Sequence, residues 1–300
     1  MPKNCTVQQP AELLAYLFAS WPEVKRKQVR TWLKFQAILV NGRPVTQFDH
    51  LLRPGDVIEV RADQFGAARA GLGLGLKVHF EDPSVIVIDK PENLLSVATE
   101  AEQEKTAFFQ LTEYVRRGKE DGVQRVWSVH RLDRDTSGLM VFAKTSAAAT
   151  TLQAGWEKAE KHYEAVIEGN LPAESGVFES YLDETHPFRV FSALPSSLTR
   201  HALTRYRVLA RTKNRMLLDL TLETGRRNQI RVHLADAGCP VVGDKKYGAK
   251  TDPAKRLALH ACGLKFPHPV TGEMLCFESP LPKDLARLVE SRAPARGDSR

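Results

Sequence analysis

The stretch "WSVHRLDRDTSGLMVFAKT", residues 127–145, decides how the rest of the chain is read. Its two ends have strand character, with Leu139, Val141 and Ala143 alternating against Met140 and Phe142. Between them lies His130-Arg131-Leu132-Asp133-Arg134-Asp135-Thr136-Ser137-Gly138, a run too polar to be buried without a use for its donors and acceptors. Asp133 can receive backbone N–H groups of the following turn, Thr136 and Ser137 favour such turns, and Gly138 permits a positive φ. Chemistry alone leaves two readings open. One is an Asx-turn with a surface ion pair, the commoner use of such residues. The other is a carboxylate held ionised by arginines and competent as a nucleophile or base.

Working outward, "KVHFEDPSVIVIDKPENLLSV" (77–97) reads as two strands around the turn Glu81-Asp82-Pro83-Ser84. A helix is expected near 104–117 and another after Ser146 to about Lys158. Alternating strands follow at 163–167, 203–210 and 216–223, with a helical segment at 227–236. Antiparallel neighbours fit this order better than a regular βαβ repeat. The expected fold class is α+β: a mixed, largely antiparallel sheet with flanking helices over 77–288, preceded by a small αβ unit.

"HRLDRDTSG" resembles the signature of the RluA-type pseudouridine synthases, which rearrange uridine in ribosomal and transfer RNA. The resemblance continues through "KHYEAVIEG", through "LETGRRNQIRVHLADAGCPVVGDKKYG" (222–248), whose G-R-x-x-Q-I-R-x-H and G-D-x-x-Y-G patterns fit, and through "LALHACGLKFPHPVTGE" (257–273). It spans about 76–285. It implies catalytic roles for Asp133, for Tyr163 as an active-site tyrosine stacking on the uracil, and for Arg231 as the basic partner of the carboxylate. It also implies RNA or substrate contacts for His130, Arg131, Arg226, Asn228 and Gln229. Two departures stand out. The family's early N-K-P-x-G is here Asp89-Lys90-Pro91-Glu92-Asn93, where Asn should keep the positive φ of the usual Gly. Asn228 replaces the His often found before Gln229, a change expected to alter an RNA contact without touching Asp133, Tyr163 or Arg231.

The first 61 residues read as a separate unit. Leu13, Leu14, Leu17 and Phe18 form an apolar stripe at helical spacing. A second helix at about 23–35 puts Val29, Trp32 and Leu33 on one side and Arg26, Arg30 and Lys34 on another. A strand at 38–40 enters the hairpin turn Asn41-Gly42, and Arg53-Pro54-Gly55-Asp56 turns into a strand at 57–60. Nine Lys and Arg against five Asp and Glu put +4 of the net charge here. Such a stripe is either a solvated helix face or a phosphate clamp. "AILVNGRPVTQFDHLLRPGDVIEV" resembles the small RNA-binding domain named after a ribosomal small-subunit protein, which implies the clamp. Residues 62–76, rich in Gly and Ala, read as a linker, and 289–300 as a disordered tail.

Composition sets the outer bounds. Three hundred residues, 42% hydrophobic and 26% charged, exclude a collagen, a disordered chain or a disulfide-stapled miniprotein. The net charge of +7 suits a polyanionic partner. The four cysteines form no C-x-x-C pair, and His260, Cys262, His268 and Cys276 fit no common zinc spacing, so no metal is expected. Neither G-x-G-x-x-G nor a Walker loop occurs, and uridine isomerisation needs no redox change, so no cofactor is expected. His130, Asp133 and Ser137 fall within eight residues without a G-x-S-x-G elbow, against a hydrolase triad. The chain therefore reads as a cytoplasmic monomer that acts on structured rRNA or tRNA as a pseudouridine-forming isomerase, without membrane attachment. The competing reading is a non-catalytic RNA-binding or ribosome-assembly factor that kept the fold.

Overall fold

The computed structural model describes residues 3–22, 24, 26–34, 38–60, 74–116 and 125–290. Eleven strands build one large sheet. Its path runs Phe191–Ala193, Ser175–Asp183, Thr199–Arg211, Arg215–Leu222, Glu160–Glu168, Leu259–Pro267, Ser137–Ala143, Val85–Lys90 and Lys77–Glu81. Met274–Glu278 pairs beside Leu259–Pro267, and Trp127–Ser128 beside Ser137–Ala143. Among these strand pairings only that of Ser137–Ala143 with Leu259–Pro267 is parallel. The fold is thus α+β with a mixed, mostly antiparallel sheet, as the order of elements implied.

The strand Ser137–Ala143 is buried along its whole length. Its alternation separates two cores. Leu139, Val141 and Ala143 pack with Val85, Val87 and Leu152 on one face. Met140 and Phe142 pack with Ile86, Ile88 and Leu111 on the other. Both faces are covered, so the segment reads as continuously apolar even though its side chains alternate. At its start Gly138 has φ +118°, and a Cβ there would lie 2.3 Å from the carbonyl oxygen of Ala261. The parallel junction at Gly138 and Ala261 therefore requires glycine.

Two of the helices start later than expected and one ends earlier. The segment near 104–117 is the helix Ala107–Arg116, started by Thr106, whose hydroxyl accepts the Phe109 N–H at 3.1 Å. The segment after Ser146 is the helix Ser146–Gly155, capped by Thr145. The 227–236 segment becomes helical only at Gln229, because Asn228 takes a left-handed φ of 54° that no helix can pass through. Asn93, the other departure from the family pattern, has φ 61°, so asparagine does hold the glycine conformation.

Residues 3–60 have a sheet and core of their own. Lys3–Thr6, Val57–Val60, Ile38–Val40 and Arg43–Pro44 pair in that order. The helices Leu13–Ser20 and Arg26–Lys34 add Leu13, Leu17, Val29 and Trp32 to a core with Ile38 and Ile58. Asn41 and Gly42 both have positive φ, and the Asn41 side chain ties the turn to Asp56 and to the N–H of Val57. Residue 61, most of the expected linker (62–73) and residues 291–300 of the expected tail lie outside the described residues. Among the described residues no helix is long and apolar enough to cross a membrane.

Candidate active site

Asp133 sits in the connection between Trp127–Ser128 and Ser137–Ala143, which pair antiparallel at Ser128 with Phe142. Two buried side chains fix this loop from below. Ser96 donates its hydroxyl to the Leu132 carbonyl at 2.7 Å and accepts the Leu132 N–H at 3.0 Å. Lys90, at 0% exposure, directs its ammonium to the carbonyls of Pro91, Leu94 and Arg134. Burial pulls Lys90 down to about 7, although Asp133, Asp135 and Glu92 favour its charged form. All three of its donors are spent on backbone, which accounts for a lysine in an apolar setting.

The helix Gln229–Asp236 supplies the other half of the site. Arg231, 5% exposed, makes a two-pronged pair with Asp244, Nε to Oδ2 at 2.7 Å and Nη2 to Oδ1 at 2.8 Å. Its remaining nitrogen, Nη1, reaches Asp133 Oδ2 at 3.3 Å. Burial alone would lower the basicity of this guanidinium; Asp244, and after it Asp133, outweigh that and raise it. A surface position for Arg231, the default for a helical arginine, is thereby excluded. Tyr163 lies on the strand Glu160–Glu168 and is buried; burial first and the Asp133 charge second push its phenol up, so it stays protonated. Asp133, Tyr163, Leu222, Asn228 and Arg231 line a pocket of about 60 Å³, which adjoins a cleft of about 780 Å³ through shared Asp133, Arg131, Asn228 and Arg231.

Asn228 corrects one expectation. Its Nδ2 donates to Asp133 Oδ2 at 2.6 Å, so the substitution of the usual histidine does touch the carboxylate. Its Oδ1 accepts from Lys246 Nζ and from the Tyr247 hydroxyl, both at 3.2 Å. An ammonium can only donate and a carboxylate only accept, which fixes the amide orientation. The side chain does not cap its own helix; the oxygen that would accept a backbone N–H there is engaged by Lys246 and Tyr247.

Two other residues expected to meet RNA are used within the protein instead. Gln229 is buried, its oxygen accepting from Thr224 and the Arg226 N–H, its nitrogen donating to the Leu203 carbonyl and Thr204. No donor or acceptor is left for RNA. The His130 ring stacks on Trp156 at 4.4 Å, and its Nε2 accepts the Val141 N–H at 3.1 Å. Burial, helped by Lys161, takes His130 down to about 3, so it is neutral and braces the loop. Arg131 is exposed on the cleft, and Arg226, anchored to the His201 carbonyl, lines the small pocket. Arg26 and Arg30 are exposed on their own helix with their guanidinium groups over Phe18 at 5.3 and 6.0 Å; the Lys34 side chain lies outside the described residues. Sequence reasoning misses Asp244, Lys246, Tyr247, Lys90 and Ser96. The G-D-x-x-Y-G spacing contains the first three, but nothing in it names Arg231 or Asn228 as their partners.

Residues 84–236 match the family described as RNA pseudouridylate synthase. The chain belongs to this family. The synthase is 35% identical to a ribosomal large subunit pseudouridine synthase D of Vibrio cholerae, over 94% of this chain and 90% of that one. It is 32% identical to the protein of the same name in Haemophilus ducreyi, over 95% and 94%. A Bacillus subtilis protein named an uncharacterized RNA pseudouridine synthase is 32% identical over 95% of both chains. Among solved structures, human RNA pseudouridylate synthase domain containing 4 superposes with a TM-score of 0.58 at 24% identity, covering 69% of this chain and 91% of that one, a likeness of fold. The synthase is therefore an isomerase that converts uridine in RNA to pseudouridine. A non-catalytic factor that kept the fold is not favoured.

Proposed function

We propose that the synthase modifies uridine in large-subunit ribosomal RNA, with Asp133 as the catalytic carboxylate, Arg231 as its positioning cation and Tyr163 stacked on the target uracil. The reaction breaks the bond from N1 to the sugar, turns the base, joins C5 to the same sugar carbon, and moves a proton from C5 while N1 gains one. No group is consumed. The target base cannot be reached within a helix, so it is flipped into the pocket beside Tyr163. One observation carries the assignment of Asp133. Among the described residues, both hydrogen bonds to its carboxylate, from Asn228 and Arg231, fall on Oδ2. One oxygen is thus held while the other is turned to the substrate, as nucleophile or as base toward the sugar.

Support for the ribosomal target comes from the names of the Vibrio and Haemophilus relatives, matched over nearly their full length. Transfer RNA is the second target class that the family resemblance implies, but none of these relatives is named for it. Residues 1–61 serve as the RNA-binding unit, with Arg26, Arg30 and Lys34 on phosphates, and Arg131 and Arg226 contact the RNA beside the flipped base. The protein works as a cytoplasmic monomer. The test is a pseudouridine map of total RNA from cells with the wild-type protein, without it, and with Asp133→Asn. Loss of one or a few sites in large-subunit rRNA in the last two is expected; retention of every site with Asp133→Asn overturns the assignment.

A further inference from the structure

The loop 184–190 carries an aromatic side chain that the reaction as described does not use. Phe188 is 78% exposed and lines the large cleft together with Pro187, Asp133 and Arg227. A lone exposed phenylalanine on a slack loop would need no explanation. This loop is not slack. Arg227 donates to the carbonyls of Glu184, His186 and Pro187, and its own N–H is accepted by the Glu184 carboxylate. The His186 ring accepts the N–H groups of Phe188 and Arg189 at 3.2 Å each and stands edge-on to both Phe188 and Phe191. Val190 is fully buried, and its N–H donates to the Tyr247 hydroxyl at 3.1 Å. The same hydroxyl donates to Asn228, the residue that holds Asp133. A short chain of hydrogen bonds thus fixes the loop relative to the carboxylate.

Holding an apolar ring rigidly in water at the mouth of a charged cleft leaves its face unsatisfied until something planar covers it. Arg131, Arg134, Arg227 and Lys246 line the same cleft and suit a phosphate backbone. When a uridine leaves the stack, the neighbouring base loses a stacking partner. We propose that Phe188 stacks on the base next to the flipped uridine and fills that lost contact, so that it stabilises the opened RNA. The inference rests on the reading that the cleft beside Asp133 receives the substrate RNA.

The experiment uses the full chain and two RNA hairpins built around the uridine that the pseudouridine map identifies. In one hairpin the uridine is stacked as in the native RNA; in the other, flanking mismatches leave it unstacked. Single-turnover rates are measured for wild type, Phe188→Ala, Phe188→Trp and Asp133→Asn. Phe188→Ala is expected to lose roughly 5- to 150-fold on the stacked hairpin, the range of one base–aromatic stack. The loss should shrink at least fivefold on the unstacked hairpin, and Phe188→Trp should recover most of it. 2-Aminopurine placed beside the uridine should be more fluorescent when bound to Phe188→Ala than to wild type, since the ring no longer covers it. Equal losses on both hairpins, or no loss on either while Asp133→Asn is inactive, overturn the role of Phe188. Activity retained by Asp133→Asn overturns the underlying site reading instead.

Discussion

The amide nitrogen of Asn228 lies 2.6 Å from Asp133 Oδ2, closer than the 3.3 Å from Arg231 Nη1 to the same oxygen. A neutral amide is therefore the shorter tether on the carboxylate, and the arginine supplies charge from slightly further away. Hydrogen bonds to charged groups contribute about 1.5–3 kcal/mol, so Asn228→Ala should lower the single-turnover rate about 10- to 100-fold. RNA affinity should change far less. Asn228→Asp places a second carboxylate against the first, which favours the protonated pair; the acid limb of its pH–rate profile should move to higher pH. An unchanged profile in Asn228→Asp would show that the tether does not act on Asp133.

Arg231 gives a different result because most of its bonding goes to Asp244, whose side chain is fully buried. Asp244→Asn leaves a buried guanidinium with one carboxylate, and breaking such a pair costs about 3–5 kcal/mol. Urea unfolding should show that loss, together with lower activity. The double variant Arg231→Met, Asp244→Leu should regain part of the stability and none of the turnover, since no unpaired charge remains but Asp133 has lost its cation. Turnover in the double variant near the wild-type level would remove Arg231 from the site.

The sheet and the carboxylate are legible in the sequence for physical reasons that can be traced to residues. The alternation from Leu139 to Ala143 records which core each side chain enters, and the polar run 130–137 needs water, substrate or internal partners for its donors and acceptors. What stays hidden depends on contacts far apart in the chain. Asn228 and Asp133 are separated by 95 positions, and no local pattern announces an amide turned away from its own helix cap. Gln229 and His130 look like surface recognition groups in a motif, but whether their polar atoms face RNA or the backbone of Leu203 and Val141 depends on tertiary packing. The same limit applies to Phe188, whose significance comes from the rigidity of its loop.

Gly138 offers a test of the scaffold separate from the chemistry. With φ at +118°, a methyl group placed on its Cα would come within 2.3 Å of the Ala261 oxygen, so the parallel junction has no room for a side chain. Gly138→Ala should cost about 3 kcal/mol or more, from backbone strain and the clash with a main-chain atom that cannot swing aside. The check is a chemical denaturation midpoint. A midpoint within error of wild type would mean that the junction between Ser137 and His260 is more pliable than its geometry implies.

Stability should fall on mild acidification, and three histidines set the window. Burial lowers His130 to about 3, and His233 and His260 to about 4. The ring nitrogens are engaged inside the fold, His233 with Thr204 and Ser180, His260 with Ser137 and Ser279, and His130 as acceptor of the Val141 N–H, which requires a neutral ring. In the unfolded chain each titrates near about 6.5. At pH 7 and above, both states are neutral and the difference contributes nothing. Between about pH 6.5 and 4 the unfolded chain binds protons that the native state refuses, so unfolding free energy falls with pH, by about 1.4 kcal/mol per unit for each histidine. Urea titrations from pH 7.5 to 5 should therefore give falling midpoints, with up to about three protons taken up on unfolding near pH 5. His233→Gln should lower stability at pH 7.5 but flatten the slope by about one proton. A slope unchanged by that substitution would show that His233 is protonated in the native fold.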